Sequence, residues 1–141
     1  MTLVLDASVA ARWLGKDGSP SDIAYSNGIL ERLTLPNERA HVPCHWSLEL
    51  AQVATRGERQ GLLSWSMVEF FLQIIEDIDF RIDLEASTRA LTDLTDLARF
   101  YRLSSYDAAY LELATRRNLP LASRDVPLCQ AARNCRVLLR L

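Results

Sequence analysis

The 141-residue chain is long enough for one domain with a sizeable hydrophobic core, and 49% of its residues are hydrophobic. Five glycines and five prolines are too few for a disordered chain, so a single compact domain over residues 1–141 is expected. A net charge of −2 excludes a broad electrostatic surface for nucleic acid, so any such binding must depend on a local site.

Strands and helices are predicted to alternate in the first half of the chain. Short apolar runs indicate strands, and apolar residues recurring at the helical period indicate helices. Gly15 and Pro36 end two of the helices. The predicted elements are a strand at 2–6, a helix at 7–15, a loop at 16–20, a helix at 21–35, a strand at 40–43, and helices at 44–60 and 64–77.

The second half of the chain continues the same alternation. Its predicted elements are a strand at 78–82, helices at 84–102 and 105–118, a strand at 119–123, a helix at 126–135 and a strand at 136–141. The strands are continuous apolar runs, which is typical of strands buried on both faces of a parallel sheet covered by helices. We therefore expect a three-layer α/β/α domain of the α/β class, with four to five parallel strands.

The cysteine pattern and the N-terminal residues favour the cytoplasm. The three cysteines form no Cys-x-x-Cys pair and no even set, which suits a reducing compartment. The N-terminus lacks the basic start of a signal peptide and reaches an acid already at Asp6. No apolar run approaches the roughly 20 residues that span a bilayer. A cytoplasmic protein with no membrane contact is therefore expected.

Four acids are predicted to lie at one edge of the sheet. Asp6 ends the first strand and Asp125 follows the fourth. Glu49 lies early in the helix after the second strand, and Asp107 lies in the first turn of helix 105–118. Because ligands of open parallel sheets bind beyond the carboxyl ends of the strands, these side chains are expected at a functional edge.

Each of these acids also has a structural explanation. Asp6 and Asp125 are typical helix N-caps, and Ser104 with Asp107 resembles a capping box. Glu49 is typical of an exposed helix position. The helical period, however, places Asp107 and Glu49 beside apolar residues, where a carboxylate is costly unless something compensates its charge.

A divalent cation would compensate a group of carboxylates. Neighbouring carboxylates raise one another's pKa, and a bound cation removes that cost. Mg²⁺ and Mn²⁺ prefer oxygen ligands, and such sites serve phosphoryl chemistry. The segment from His41 to His45 contains two histidines and one cysteine but lacks the second ligand pair of a structural zinc site. Mg²⁺ or Mn²⁺ is therefore the expected cofactor.

Together, the acidic segments resemble the PIN-domain ribonucleases, in particular the VapC-type toxins of bacterial toxin–antitoxin pairs. The matching segments are LVLDASVAARW, PCHWSLE, LSSYDAAYLELA and LASRDVPLCQAA, followed by RVL. They occur in the order of the family and cover nearly the whole chain. The resemblance implies a sheet of order 3-2-1-4-5 with an acidic pocket at its C-terminal edge.

The resemblance also assigns roles to individual residues. By the matching motifs, Asp6, Glu49, Asp107 and Asp125 would be the four acids of the pocket. Asp6 and Asp107 match the residues that bind Mg²⁺ directly, and Glu49 and Asp125 would complete the cage or orient water. Ser123 matches a serine or threonine that supports the last acid.

The implied function is that of a Mg²⁺- or Mn²⁺-dependent endoribonuclease. Metal-activated water would hydrolyse RNA and leave 5′-phosphate and 3′-hydroxyl ends. A toxin of this type implies a cognate VapB-like antitoxin, and a homodimer is expected. Candidate phosphate contacts are Arg12, Lys16 and Arg124, for which solvated surface positions are an equal explanation. Helices 21–35 and 44–60 are candidates for a dimer face or antitoxin groove, although core packing explains most of their apolar side chains.

Two other classes of function fit the sequence less well than the nuclease. A catalytically silent PIN-like module would bind RNA or a partner without cutting, and the intact set of four acids argues against it. A phosphoacceptor or phosphatase domain would need a second acid near Asp6 or a late lysine. Ser8 occupies the position of the second acid, and no lysine follows Lys16, so this class is disfavoured.

Overall fold

A computed structural model describes residues 1–15 and 17–141 of the chain, and its elements follow the predicted order. The strands are β1 (Thr2–Leu5), β2 (Arg39–Pro43), β3 (Phe80–Asp83) and β4 (Leu121–Ala122). The helices are α1 (Ala7–Gly15), α2 (Pro20–Leu33), α3 (Trp46–Arg59), α4 (Trp65–Glu76), α5 (Ala86–Arg89), α6 (Thr95–Tyr101), α7 (Ser105–Arg117) and α8 (Val126–Asn134). A π-helical segment (Ala90–Leu94) joins α5 to α6.

The strands form one parallel sheet of order β3-β2-β1-β4, flanked by helices. Strand β1 lies inside the sheet, where Leu3 pairs with Ala40 of β2 and Leu5 pairs with Ala122 of β4. The side chains of β1 from Leu3 to Leu5 are fully buried, as expected of a strand covered on both faces. The predicted α/β fold with a parallel sheet is therefore confirmed.

The fifth strand predicted at 136–141 is reduced to one isolated bridge. Leu138 bridges Leu121 in parallel, and Leu121 exchanges hydrogen bonds with Val137 and Leu139 on either side of it. Pro120 faces the opposite neighbour, since its carbonyl accepts a hydrogen bond from the N–H of Val4 in β1 at 2.8 Å. In the part of the chain that the structure describes, the sheet therefore has four strands rather than five.

Side-chain caps define where several helices begin. Ser19 and Asp22 form a reciprocal capping box at the start of α2, with Pro20 in its first turn. The Ser104 side chain accepts a hydrogen bond from the N–H of Asp107 at 3.1 Å and caps α7. A side-chain oxygen in this position satisfies an N–H group that has no partner within the helix. Because of this cap, Asp107 lies in the first turn of α7.

Helix α7 is buried on nearly all sides. Its residues from Ala108 to Ala114 are all buried, including Glu112, which is only 6% exposed. The helical period alone predicts an exposed polar face at Glu112, but α6 and the π-helical segment pack against α7 and Glu112 is buried. Arg116 lies 2.7 Å from Glu112 and 2.8 Å from the buried Asp83. These ion pairs connect α7 to β3.

The helix predicted at 84–102 is interrupted in its middle. Residues Ala90–Leu94 are π-helical, and the Thr95 hydroxyl donates a hydrogen bond to the Ala90 carbonyl at 2.7 Å. A π-helical turn is closed by i→i+5 hydrogen bonds, so it contains one residue more than an α-helical turn. Arg102 then ends α6 in a left-handed conformation with φ of 55°.

The apolar residues proposed for a dimer face or antitoxin groove lie mainly in the core. Trp46, Leu50 and Leu33 are buried within the chain, so packing inside one molecule accounts for them. Outside the two proposed helices, Trp65 and Phe70 on the following helix α4 are exposed. Among the described residues, no helix has the length and apolar character to cross a membrane.

Candidate functional site

Asp6 lies immediately after the central strand and is 3% exposed. Its Oδ2 atom accepts hydrogen bonds from the hydroxyls of Ser8 and Ser123, both at 2.6 Å. The pKa of Asp6 is raised to about 6, mainly by burial and to a smaller extent by the charge of Asp107, while the hydroxyls of Ser123 and Ser8 act in the opposite direction. Asp6 is therefore a buried carboxyl group whose ionisation is opposed by the charge of Asp107.

Ser123 and Asp125 lie in the connection between β4 and α8. The buried Ser123 hydroxyl, which donates to Asp6, also accepts a hydrogen bond from the N–H of Asp125 at 3.1 Å. Asp125 caps α8, because its Oδ2 atom accepts from the N–H of Leu128 at 3.0 Å. The capping explanation of Asp125 therefore holds, and the same connection positions Asp6 through Ser123.

Asp107 is influenced electrostatically by the other predicted acids. It is half-buried, and burial is the main cause of its raised pKa. The charges of Asp125 and Glu49 raise this pKa further, whereas the Ser104 hydroxyl and His45 lower it. Since Asp107 also raises the pKa of Asp6, it interacts electrostatically with all three of the other predicted acids.

Glu49 has two neighbours that sequence reasoning did not assign to the site. The Tyr110 hydroxyl donates a hydrogen bond to Glu49 Oε1 at 3.4 Å. His45 Nε2 lies 3.0 Å from the same oxygen, without the alignment of a hydrogen bond. The His45 ring packs edge-on against Tyr106 and Tyr110. The four-residue spacing of His45 and Glu49 on one helical turn was the available sequence signal.

The four acids are coupled electrostatically, but their side chains do not form a preformed metal site among the described residues. Within residues 1–15 and 17–141, no three His, Cys, Asp or Glu side chains adopt the spacing of a metal site. Asp107 nevertheless raises the pKa of Asp6, and Asp125 and Glu49 raise the pKa of Asp107. Carboxylates that oppose one another's ionisation favour a bound cation, and an all-oxygen donor set suits Mg²⁺ or Mn²⁺.

The arginines proposed as phosphate contacts are engaged with Asp22 of α2. Arg124 lies 2.6 Å from Asp22 and 5.2 Å from the ring centre of Tyr25. Arg12 donates to the Ser8 carbonyl and lies 3.9 Å from Asp22. The Ser19 hydroxyl and then Arg124 lower the pKa of Asp22 to about 2. Both arginines therefore carry a structural ion pair, and the third candidate, Lys16, lies outside the described residues.

The fold is similar to that of a solved protein. The crystal structure of PAE2754 from Pyrobaculum aerophilum matches with a TM-score of 0.65 over 93% of this chain and 87% of that chain. The two sequences are 16% identical, so this likeness concerns the fold alone. No curated protein matches the chain.

The sequence itself matches a family model. The model is that of the PIN domain, and it covers residues 3–134. This range begins at β1, ends with α8, and includes all four acids described above. Since the match spans nearly the whole chain, the protein belongs to the PIN-domain family.

Proposed function

We propose that this PIN domain is a Mg²⁺- or Mn²⁺-dependent endoribonuclease. PIN domains are generally nucleases and usually use divalent metal ions. The observation that carries the proposal is the buried Asp6 carboxylate, whose charge is opposed by Asp107 at the carboxyl end of the central strand. A buried carboxylate next to a second one is costly unless a cation neutralises both, and the cost disappears when the cation binds.

The chemistry of the four acidic side chains fits such a cation. Asp6 and Asp107 would hold it, with Glu49 and Asp125 completing the donor set or orienting water. All four donors are carboxylates, which are the ligands that Mg²⁺ and Mn²⁺ prefer. When bound, the metal would lower the pKa of water and stabilise negative charge on the phosphate oxygens.

The neighbouring side chains of the chain would set the geometry of these acids. Ser8 and Ser123 hold one oxygen of Asp6 through two short hydrogen bonds, which leaves its other oxygen for a ligand. The Tyr110 hydroxyl restrains Glu49 in the same way. Such supporting hydrogen bonds fix the orientation of metal-binding carboxylates and tune their basicity.

We further propose that the chain is the toxin of a toxin–antitoxin pair, with a VapB-like antitoxin as its partner. The motif resemblance supports this role. The exposed apolar side chains of α3 and α4 also support a protein partner, since they include Leu48, Trp65 and Phe70. A homodimer is part of the same proposal, and light scattering during size-exclusion chromatography tests it against a 16.0 kDa monomer.

The second candidate is a PIN-like module that binds RNA or a partner without cutting. The observation that favours it is the absence of a preformed metal cage among the described residues. A calorimetric titration with Mn²⁺ separates the two candidates, because the silent module would give no binding heat.

The nuclease proposal is tested by removing and restoring the metal. A single-stranded RNA is incubated with the protein in EDTA, and then with Mn²⁺ or Mg²⁺ in excess. We expect cleavage only with the divalent ion, together with 5′-phosphate and 3′-hydroxyl ends. Circular dichroism in EDTA checks that the protein stays folded. Cleavage that persists in EDTA, or an absence of both cleavage and Mn²⁺ binding heat, would contradict the proposal.

Replacing Ser123 with Ala is expected to weaken Mn²⁺ binding by about 10- to 100-fold. The change removes one of the two hydrogen bonds to Asp6 Oδ2, so the buried carboxylate loses support and its pKa rises further. Calorimetric titration at neutral pH measures the affinity. The matched control is Ser47→Ala, at an exposed position of α3, which should bind Mn²⁺ like the wild type. Equal affinity in both variants would remove Ser123 from the site.

A further inference from the structure

His45 carries a buried nitrogen beside one of the four acids. The residue directly precedes α3, and its side chain is 13% exposed. Its Nε2 atom is buried and forms no aligned hydrogen bond with any residue that the structure describes. Glu49 Oε1 lies 3.0 Å from this nitrogen, which is a hydrogen-bond distance, so only the direction of the N–H group is unfavourable. Since a buried polar nitrogen is costly without a partner, the carboxylate beside it is the partner that the structure offers.

Helix α7 holds the His45 ring in place. Tyr106 and Tyr110 pack edge-on against the ring, with ring centres 5.4 Å and 5.2 Å away. Both tyrosines lie on the same helix as Asp107, which directly follows Tyr106. The backbone adds a second restraint, because the N–H of Glu49 donates to the His45 carbonyl at 3.0 Å. His45 therefore contacts both of the helices that carry an acid, Glu49 on α3 and Asp107 on α7.

Two polar groups converge on one oxygen of Glu49. The Tyr110 hydroxyl donates to Oε1 at 3.4 Å, and His45 Nε2 lies 3.0 Å from the same atom. The other oxygen, Oε2, has no hydrogen bond or ion pair with a residue that the structure describes. Asp6 is held in a similar way, by two serine hydroxyls on Oδ2. In both acids, the chain restrains one carboxylate oxygen and leaves the other for a ligand.

We propose that His45 is a positioning residue for Glu49. Its Nε2–H group and the Tyr110 hydroxyl together hold Oε1, so that Oε2 stays available to a divalent cation or to a water molecule. Hydrogen bonds of catalytic groups are often misaligned before a ligand binds and become aligned in its presence, so the contact between His45 and Glu49 is the one that should tighten. This inference rests on the proposed nuclease function and adds a residue that acts through Glu49.

Two substitutions separate the nitrogen of His45 from its ring. His45→Phe keeps an aromatic ring against the two tyrosines but has no N–H group. His45→Gln loses the ring but keeps a side-chain N–H group at a similar distance from the backbone. The matched control is His41→Phe, because this histidine lies on β2, where its charged neighbours are three arginines and Asp83 rather than the four acids. Thermal melts monitored by circular dichroism establish that the variants are folded.

The variants are compared in metal binding and in cleavage. Calorimetric titration with Mn²⁺ in the absence of RNA measures the metal affinity, and cleavage of a labelled RNA measures kcat and KM separately. His45→Phe is expected to bind Mn²⁺ about 10-fold more weakly and to lower kcat by about 10- to 100-fold, with little change in KM. His45→Gln should recover most of both losses, which a role in ring packing alone would not allow. His41→Phe should behave like the wild type.

Two results would overturn the proposal. The first is full Mn²⁺ affinity and full kcat in His45→Phe, because the nitrogen would then have no role. The second is a loss in His45→Gln at least as large as the loss in His45→Phe, because the ring rather than the N–H group would then be what matters.

Nuclear magnetic resonance of the metal-free protein separates this proposal from the nuclease. The imidazole resonance of His45 Nε2–H should shift when Glu49 is replaced with Ala, but not when Glu69, at an exposed position of α4, is replaced with Ala. If the wild type neither binds Mn²⁺ nor cleaves RNA but this shift is found, the contact stands and the nuclease fails. If the wild type cleaves RNA with Mn²⁺ and His45→Phe matches it, the nuclease stands and the positioning role fails. An unshifted resonance would count against the contact in either case.

Discussion

Replacing Asp6 with Asn is expected to abolish metal-dependent RNA cleavage and to stabilise the metal-free protein at neutral pH. The amide oxygen of Asn can accept the hydrogen bonds that Ser8 and Ser123 donate to Asp6, so the local structure should persist. The amide lacks the negative charge that a divalent cation requires. Losing about 4 kcal/mol of transition-state stabilisation by the metal would lower the cleavage rate roughly 1,000-fold.

The stability gain of this variant follows from the direction of the Asp6 pKa shift. Burial raises that pKa from 3.8 to about 6, so the folded state holds the proton more tightly than the unfolded state. The free energy of unfolding of metal-free wild type should therefore fall as pH rises from about 4 to about 6, by up to about 3 kcal/mol. The Asn variant has no such proton and should lack this decline.

Urea unfolding in EDTA at pH 4.5 and pH 7.5 measures the effect, and end-labelled RNA with Mn²⁺ measures cleavage. The control is Asp96→Asn, at an exposed position of α6, which should change neither quantity appreciably. A variant that still cleaves RNA would remove Asp6 from the site. A variant less stable than wild type at pH 7.5 would show that the amide does not fit between the two serines.

Replacing Arg116 with Met is expected to destabilise the fold by roughly 3 kcal/mol at neutral pH. Arg116 pairs with Asp83 and Glu112, both of which are buried, and Met would keep the apolar stem while leaving the two carboxylates without their closest cation. Arg89 and Arg117 remain at 3.6 Å and 3.7 Å from these acids and compensate in part.

Chemical denaturation at pH 7.5 measures this change, with Arg117→Met as the matched control. Arg117 also faces Asp83, but its side chain is 45% exposed and its ion pair is longer. Removing an exposed pair of this kind costs less than about 1 kcal/mol. If both variants lost the same small amount, the Arg116 cluster would not be the connection between α7 and β3.

The order of the elements and the position of the sheet edge were predictable from the sequence. Continuous apolar runs separated by helical patterns identify buried parallel strands. Because the carboxyl ends of parallel strands lie at one edge of the sheet, the sequence alone predicts that Asp6 and Asp125 lie near each other. The raised pKa of Asp107, whose helix begins at the Ser104 cap, follows from the same arrangement.

Other features could not be predicted because they depend on tertiary contacts. Glu112 has the sequence pattern of a surface residue, yet α6 covers it and Arg116 neutralises it. Residues 136–141 have the composition of a strand, but their pairing is limited by the two-residue length of β4. The partners of Arg124 are 102 and 103 residues away in sequence, so no local pattern predicts its pairing with Asp22.

The central place of β1 has a consequence for partial unfolding. The N–H of Asp6 donates to the Ala122 carbonyl at 3.0 Å, and β2 pairs with the other side of β1. Local openings begin where structure is thinly paired, as at the single bridge of Leu138 or at the outer strand β3. Strand β1, which carries Asp6 at its end, therefore keeps its pairing with β2 and β4 while the single bridge of Leu138 or strand β3 opens.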